Sequence, residues 1–470
     1  MTDSSLRRTV ESLMDRARSD LAELVAHPSV HDSPEFGPEP NAASAEWVAK
    51  AFAEAGIGNV ERITTSDGSI AIVGHAPAPE GAPTVLLYSH HDVQPPGPSE
   101  AWESDPFTLT TRPGPDGTDR WYGRGAADCK GNLVAHLTAL RAVRGEDGTF
   151  PVGVRIVIEG SEEGGGVGLE DLVAQRPELA QADLIVIGDT GNVAVGRPTL
   201  TTSLRGAANV RVEVSTGTSD LHSGAFGGAA PDALAALIAL LATLRDGFGN
   251  TTIDGLDSSA RWAGEPYDPA QFATDAAIYD DAAILGSGTI ADQLWARPAL
   301  TVIGLDAPAT ATAAAAIQPR AAALLNLRVP PGTDPHAATE LLLAHLRNNA
   351  PWGAHVDAHI EAVGEPFAAE TTGPAYAVLR EALAEAYDGA EVAFSGQGGS
   401  IPLCTQLRKA APQAEIALLG VEEPQCRIHA PNESVDPGEL RRTALAEALL
   451  LTRLAPARSE APAPSNAPSA

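Results

Sequence analysis

Residues 84–92 read Thr84-Val85-Leu86-Leu87-Tyr88-Ser89-His90-His91-Asp92, an apolar run that ends in two imidazoles and a carboxylate. The pattern recurs downstream. Val152 to Ile158 runs into Glu159-Gly160-Ser161-Glu162-Glu163, and Leu184 to Ile187 runs into Gly188-Asp189. Short runs rich in β-branched residues and bounded by turn residues read as strands. In an open α/β sheet, ligands bind in the crevice outside the carboxyl ends of the strands. Three strands that each end in His or carboxylate therefore point to one crevice supplied with metal-type ligands.

Outward from these strands, the sequence alternates between helix and strand. Leu6, Val10, Leu13, Met14, Ala17, Leu21, Leu24 and Val25 are spaced by threes and fours, which predicts an amphipathic helix stopped near His27-Pro28. Further helices are expected from about Ala43 to Ala55, capped by Gly56, and from Gly131 to Val143; Ala71 to Val73 reads as a strand. The middle of the chain differs. Strands at Asn209 to Val214, Leu300 to Ile303 and Ala322 to Val329, with helices at Pro231 to Arg245 and Pro335 to Asn348, suit a smaller α+β domain. A loop-rich stretch lies between Gly247 and about Ala296. The alternation resumes with Tyr376 to Tyr387, Glu415 to Leu419 and Pro437 to Leu454. The expected fold is α/β, a mostly parallel sheet with helices on both faces, built from residues 1–204 and 367–455. The α+β domain of residues 205–366 is inserted into it. The Pro-, Ala- and Ser-rich tail, 456–470, is expected to be disordered.

At 470 residues, with 44% apolar side chains, the chain can bury at least one large core and has room for two or three domains. Its 61 acidic and 31 basic residues leave a net charge of −30, which repels phosphate backbones and anionic lipid. Nucleic acid and membrane surfaces are therefore not expected partners. Three scattered cysteines, Cys129, Cys404 and Cys426, exclude a disulfide framework and a thiolate zinc site. The polar N-terminus has no apolar stretch behind Arg7 and Arg8, and the longest apolar run, Ala233 to Ala242, is too short for a bilayer. A cytoplasmic location is expected.

Each candidate alone is ambiguous. His90 and Asp92, two apart on an extended backbone, share a face, so one can bind metal while the other orients it. Asp128 stands just before a helix, where an N-cap is an ordinary role. Glu162 and Glu163 precede Gly164-Gly165-Gly166, which lets the backbone approach something closely. Adjacent residues cannot face one ligand alike, so these two glutamates divide their work. Together, His and carboxylate donors suit a hydrolytic zinc, cobalt or manganese site.

These residues resemble the two-metal metallopeptidase family that includes carnosinase, cytosolic non-specific dipeptidase, aminoacylase, acetylornithine deacetylase and succinyl-diaminopimelate desuccinylase, with the dipeptidase branch nearest. The resemblance rests on five motifs in order: Tyr88 to Pro95, Tyr122 to Gly131, Glu159 to Glu163, Asp220 to Gly228, and Gly398-Gly399-Ser400-Ile401-Pro402. It implies that His90 and Asp189 complete one metal, that Glu163 and His429 complete the other, and that Asp128 bridges them. It further implies Glu162 as general base and Asp92 as the partner orienting His90. His222 would act in catalysis and substrate binding, often across a dimer in the family. Arg328 would hold the substrate's terminal carboxylate, and Gly399 and Ser400 would line the same pocket. The inserted domain becomes a lid and dimerisation domain of a homodimer. The implied activity is hydrolysis of dipeptides, or similar small peptides with a free C-terminal carboxylate, by a water shared between two divalent ions, zinc first, with manganese or cobalt as alternatives. An N-acyl-amino-acid deacylase or desuccinylase with the same metal core is the alternative. Three departures bear on this: Ser89 replaces a usual Gly, Gly396-Gln397 replaces Arg-Glu before the Gly-Gly-Ser-Ile-Pro motif, and Ala316 replaces Thr or Asn before Ile317-Gln318-Pro319. The last two lie near the substrate and leave its identity open.

Overall fold

A computed structural model of the chain describes residues 3–279, 281–399 and 401–456. The tail expected from 456 onward lies, beyond Pro456, outside the described residues, as does Ser400. The chain forms two compact units: residues 1–198, 371–392 and 410–470, and residues 199–370 with 393–409.

In the first unit the sheet runs in the order Gly58–Thr64, Ile70–Ala76, Gly153–Glu159, Thr84–His90, Leu184–Gly188, Glu415–Leu419. The last four are parallel to one another, and the first two join antiparallel. Every residue from Val85 to His90 and from Leu184 to Gly188 is buried. That is why these strands read as continuous apolar runs: both faces of a parallel sheet are covered. The register aligns their carboxyl ends, with His90 opposite Glu159 and Leu419 opposite Gly188.

The expected helices are present: Glu39–Ala55 ends on Gly56 at φ 108°, Lys130–Val143 is buried almost throughout, and Pro437–Arg453 is capped by Asp436. The helix expected without interruption from Leu6 to Val25 is instead two, Asp3–Ser12 and Met14–Val25, divided at Leu13. The apolar stripe survives the break, since Leu6, Val10, Ala17, Leu21, Leu24 and Val25 are all buried, and a stripe reports the buried face rather than helix continuity. Several strands escaped the sequence reading, among them Thr199–Leu204, Ala393–Gln397 and two outer strands. Gly58–Thr64 is polar and largely exposed, and His355–Gly364 alternates polar and apolar on an outer position of its sheet.

The second unit contains a four-stranded antiparallel sheet in the order Ala299–Asp306, Arg320–Val329, Gly206–Ser215, His355–Gly364. Gly206–Ser215 is buried at alternate residues, as a strand with one face on a core must be. Val210, Val212 and Val214 pack with Leu325 and Leu327, and with Leu237, Leu240, Leu342 and Leu346 of the helices Ala233–Ala242 and Pro335–Asn348. In the same unit, Thr199–Leu204 pairs in parallel with Ala393–Gln397. The molecule is thus a mixed α/β protein whose large sheet is mostly parallel. No described helix is long and apolar enough to cross a membrane.

Candidate active site

The aligned strand ends of the first unit deliver four groups to one place. His90 is the last residue of its strand, and Asp189 follows directly on Leu184–Gly188. Glu162 and Glu163 form a short turn just after Gly153–Glu159. Asp128 lies before Lys130–Val143. His429 comes from the loop ahead of Ser434–Val435, which pairs with Trp121 and Tyr122. That pairing is what brings a residue three hundred positions away back to Asp128. His429 sits in the left-handed region at φ 62°, a conformation that costs a non-glycine residue about 1–3 kcal/mol and persists where surrounding structure enforces it.

Asp128 is the centre of the cluster. Its Oδ1 lies 3.0 Å from His90 Nε2, and its Oδ2 lies 3.0 Å from His429 Nε2. His90 Nε2 is also 3.3 Å from Asp189 Oδ1, and His429 Nε2 is 3.1 Å from Glu163 Oε1. Each imidazole nitrogen therefore faces Asp128 and one further carboxylate. His90 Nδ1 faces Asp92, at 3.3 Å from its Oδ1. The two Asp92 oxygens accept the backbone N–H groups of Glu162 (3.2 Å) and Glu163 (3.0 Å). Asp92 thus ties the His90 strand to the glutamate turn. Glu162 Oε2 stands 3.9 Å from His90 Nε2.

A buried pair supports the Asp128 loop. Glu433 Oε2 accepts from Arg124 Nη1 at 2.8 Å and from Gly125 N at 3.0 Å, and its Oε1 accepts from the N–H groups of Ala127 and Asp128, both at 3.1 Å. Four donors on one carboxylate offset the cost of burying it. They hold Asp128 with its two oxygens turned to different imidazoles.

The electrostatics show what the cluster lacks. Burial, then the charge of Asp189, pushes Glu162 well above the usual carboxylate range. Burial likewise pushes Asp189 up to about 6. Asp128 and Glu163 pull His429 up to about 10. Without added positive charge, then, carboxylates crowd together and imidazoles hold protons between them. Glu163 Oε1 is buried, with His429 Nε2 3.1 Å away but in poor alignment for a hydrogen bond. Divalent cations satisfy such a donor set by taking the place of those protons. His90, Asp128 and Glu163 offer ligand atoms within 4.8 Å of one another, as do Asp128, Asp189 and Glu422, and His90, Cys129 and Asp189. The residues present fit a divalent metal centre.

Glu422 and Cys129 were not singled out from the sequence. Glu422 follows the carboxyl end of Glu415–Leu419, so the strand-end rule applied to a fourth strand would have found it. Its Oε1 accepts from Asn132 Nδ2 at 2.6 Å. Cys129 had no such signal. Its thiol donates to Gly188 O at 2.8 Å, and burial pushes its pKa well up, so it sits there as a neutral thiol rather than a thiolate.

The other candidates lie in the second unit. His222 is exposed at the end of the two-residue strand Leu221–His222, which pairs with Ala316–Ile317. Its Nδ1 accepts from Gly224 N at 3.0 Å, which leaves the proton of the neutral ring on Nε2. Arg328 is half-buried on Arg320–Val329, and its Nε donates to Asn326 Oδ1 at 3.0 Å. Gly399 is exposed, just after Ala393–Gln397.

Comparison with known proteins agrees with this architecture. The chain is 45% identical over 440 residues to the cysteinylglycine-S-conjugate dipeptidase of Corynebacterium striatum, covering 93% of this chain and 95% of that protein. It is 28% identical to the beta-Ala-His dipeptidase of Rattus norvegicus, over 75% and 73% of the two chains. The crystal structure of human carnosine dipeptidase 1 superposes with a TM-score of 0.80 at 23% identity, over 97% of this chain and 99% of that one, and so shares the fold. The family model described as peptidase family M20/M25/M40 matches residues 86–453, and the chain belongs to that family.

Proposed function

We propose that the protein is a metal-dependent dipeptidase that cleaves dipeptides, or similar small peptides with a free C-terminal carboxylate. One observation carries the chemistry: the two oxygens of Asp128 each meet a different imidazole at 3.0 Å. A carboxylate placed so is suited to being shared between two cations. His90 and Asp189 complete one ligand set, and Glu163 and His429 the other. Cations bound there supply Lewis acidity toward a scissile carbonyl and lower the pKa of water. Glu162, whose Oε2 stands back at 3.9 Å from His90 Nε2, takes the proton of the attacking water and returns it to the leaving amine. Asp92 orients His90 and the glutamate turn. His222 donates from Nε2 to the developing oxyanion. Arg328 holds the terminal carboxylate as a charge-assisted pair, with Gly399 and Ser400 beside it. That two relatives are named as dipeptidases supports dipeptides, rather than N-acyl amino acids, as the substrate class.

The test is a panel of dipeptides, their C-terminal amides, and N-acetyl and N-succinyl amino acids, offered to protein reconstituted with zinc, manganese or cobalt. Free dipeptides are expected to be the best substrates. Arg328→Ala raises KM for them by about tenfold or more and changes the amides little. A preference for N-succinyl or N-acetyl substrates, or an equal effect on amides, would reject this reading. Zinc is the proposed metal, because the set of imidazole and carboxylate ligands suits it; elemental analysis of the purified protein that finds another ion in its place would overturn that.

A homodimer is also proposed. Ala299–Asp306 is an outer strand of its sheet, yet Val302, Ile303 and Leu305 on it are 44%, 52% and 51% exposed. An exposed apolar edge strand is a surface that pairs. Size exclusion with light scattering is expected to give twice the chain mass; the mass of one chain would reject the dimer. The three cysteines are all buried, which suits the reducing cytoplasm proposed as the location; fractionation that recovers the protein elsewhere would contradict it.

A further inference from the structure

We infer that Arg205 is the second guanidinium of a carboxylate subsite in the second unit, acting with Arg328 on the acidic end of the substrate. This rests on the role proposed above for Arg328.

Arg205 joins two strands, Thr199–Leu204 and Gly206–Ser215. It is 8% exposed, and its Nε and Nη1 are buried with no hydrogen-bond partner. Neither Arg205 nor Arg328 is in an ion pair among the described residues. A long cationic side chain on a surface normally buries its stem and keeps its head in water. Arg205 buries the head as well. Leaving a buried charge unpaired is strongly unfavourable, so an arginine held this way needs an account of what pairs it.

The neighbouring charge makes the imbalance worse. In the antiparallel register, Gly206 faces Val329 and Ala207 faces Arg328, so the strand that follows Arg205 runs beside the one that carries Arg328. Burial, and then the like charge of Arg328, lowers Arg205 to about 10. Arg328 is steadied by neutral amides: Asn326 accepts from its Nε, and Asn326 Nδ2 donates to Asn209 Oδ1 at 2.8 Å. In a chain with 61 acidic residues, two neighbouring guanidiniums stand without a carboxylate. Gly398 lies against the same group. A Cβ at Gly398 would lie 2.7 Å from Arg205 Nη2, whereas a Cβ at Gly399 would meet nothing within 4 Å. Glycine at 398 therefore admits the guanidinium, and there is room beside Gly399. A planar fork with free N–H donors matches a carboxylate. One such anion can pair with both guanidiniums, cutting their summed charge from two to one.

The experiment uses the full metal-loaded chain and two variants, Arg205→Met and Arg205→Lys. Binding of N-acetylglycine and of its amide is measured by calorimetry, beside thermal melts without ligand. Arg205→Met is expected to bind N-acetylglycine about 30-fold or more weakly, to bind the amide as before, and to melt no lower than wild type, because an uncompensated charge has gone. Arg205→Lys is expected to retain part of the affinity. With dipeptides, KM rises and kcat is little changed. Unchanged affinity for N-acetylglycine in Arg205→Met overturns the subsite. A melting temperature below wild type also overturns it, because the guanidinium is then a structural strut. Wild-type protein that binds N-acetylglycine through Arg205 and cleaves no dipeptide would sink the proposed function and leave the subsite standing.

Discussion

Glu162→Gln is expected to lower kcat by about 10³-fold, within the 10²–10⁴ range that a positioned general base contributes, while the protein keeps its metal. Glu162 reaches the cluster without belonging to its clasp: its Oε2 is 3.9 Å from His90 Nε2, against 3.0 Å for Asp128 and 3.3 Å for Asp189. Its backbone is fixed by Asp92, so the amide can occupy the same place. Glutamine keeps the shape and the hydrogen-bonding reach but cannot take a proton. The measurement pairs kcat with metal content by elemental analysis. Turnover within tenfold of wild type would remove Glu162 as the base. Loss of metal along with activity would reassign it as a ligand.

Asp128→Asn is expected to do the reverse, removing metal first and activity with it. Outer partners of metal ligands typically cost 10–100-fold in affinity when lost, so a carboxylate proposed to serve two cations is expected to cost at least about a hundredfold. Asparagine offers one acceptor oxygen, so one of the two imidazoles would face an amide N–H₂. Stability separates this from simple misfolding. A ligand that binds only the folded state raises Tm by an amount that grows with the logarithm of its affinity, so the rise on adding zinc should be clearly smaller in the variant. The metal-free melt should fall only modestly, because the lost pairing of the Asp128 carboxylate with two imidazoles is partly offset as one negative charge leaves a crowded acidic cluster. A variant with full metal content, or one with a collapsed metal-free Tm, would contradict the shared-carboxylate reading.

Much of the candidate site was legible in the sequence because its groups sit at strand ends. A strand announces itself by a local apolar run, and the residue after the run is read directly; His90, Glu162, Glu163 and Asp189 were found this way. Glu422 obeys the same rule at Glu415–Leu419 and was overlooked there. Asp128 and His429 are different. Neither lies at the end of a sheet strand of this kind, and each has an ordinary local role. Asp128 drew notice only as a residue ahead of a helix, and the ordered motif resemblance gave it and His429 their roles. The helix divided at Leu13 shows the same limit from the other side: spacing by threes and fours identifies a buried face, and cannot say whether the backbone is continuous along it.

The chain by itself determined much of the alternation of strands and helices, three strands of the antiparallel sheet in the middle of the chain, and the residue types waiting at the strand ends. These are properties of neighbours in sequence: hydrophobic period, caps and turn residues act over a few positions. The tertiary structure alone decided that Asp128 turns one oxygen to His90 and the other to His429, that Glu433 holds it there with four donors, and that Arg205 is buried with unpartnered N–H groups. Each of those depends on strand register between segments far apart in the chain. Whether a charge is paired or bare is set by what the fold places within a few ångströms of it.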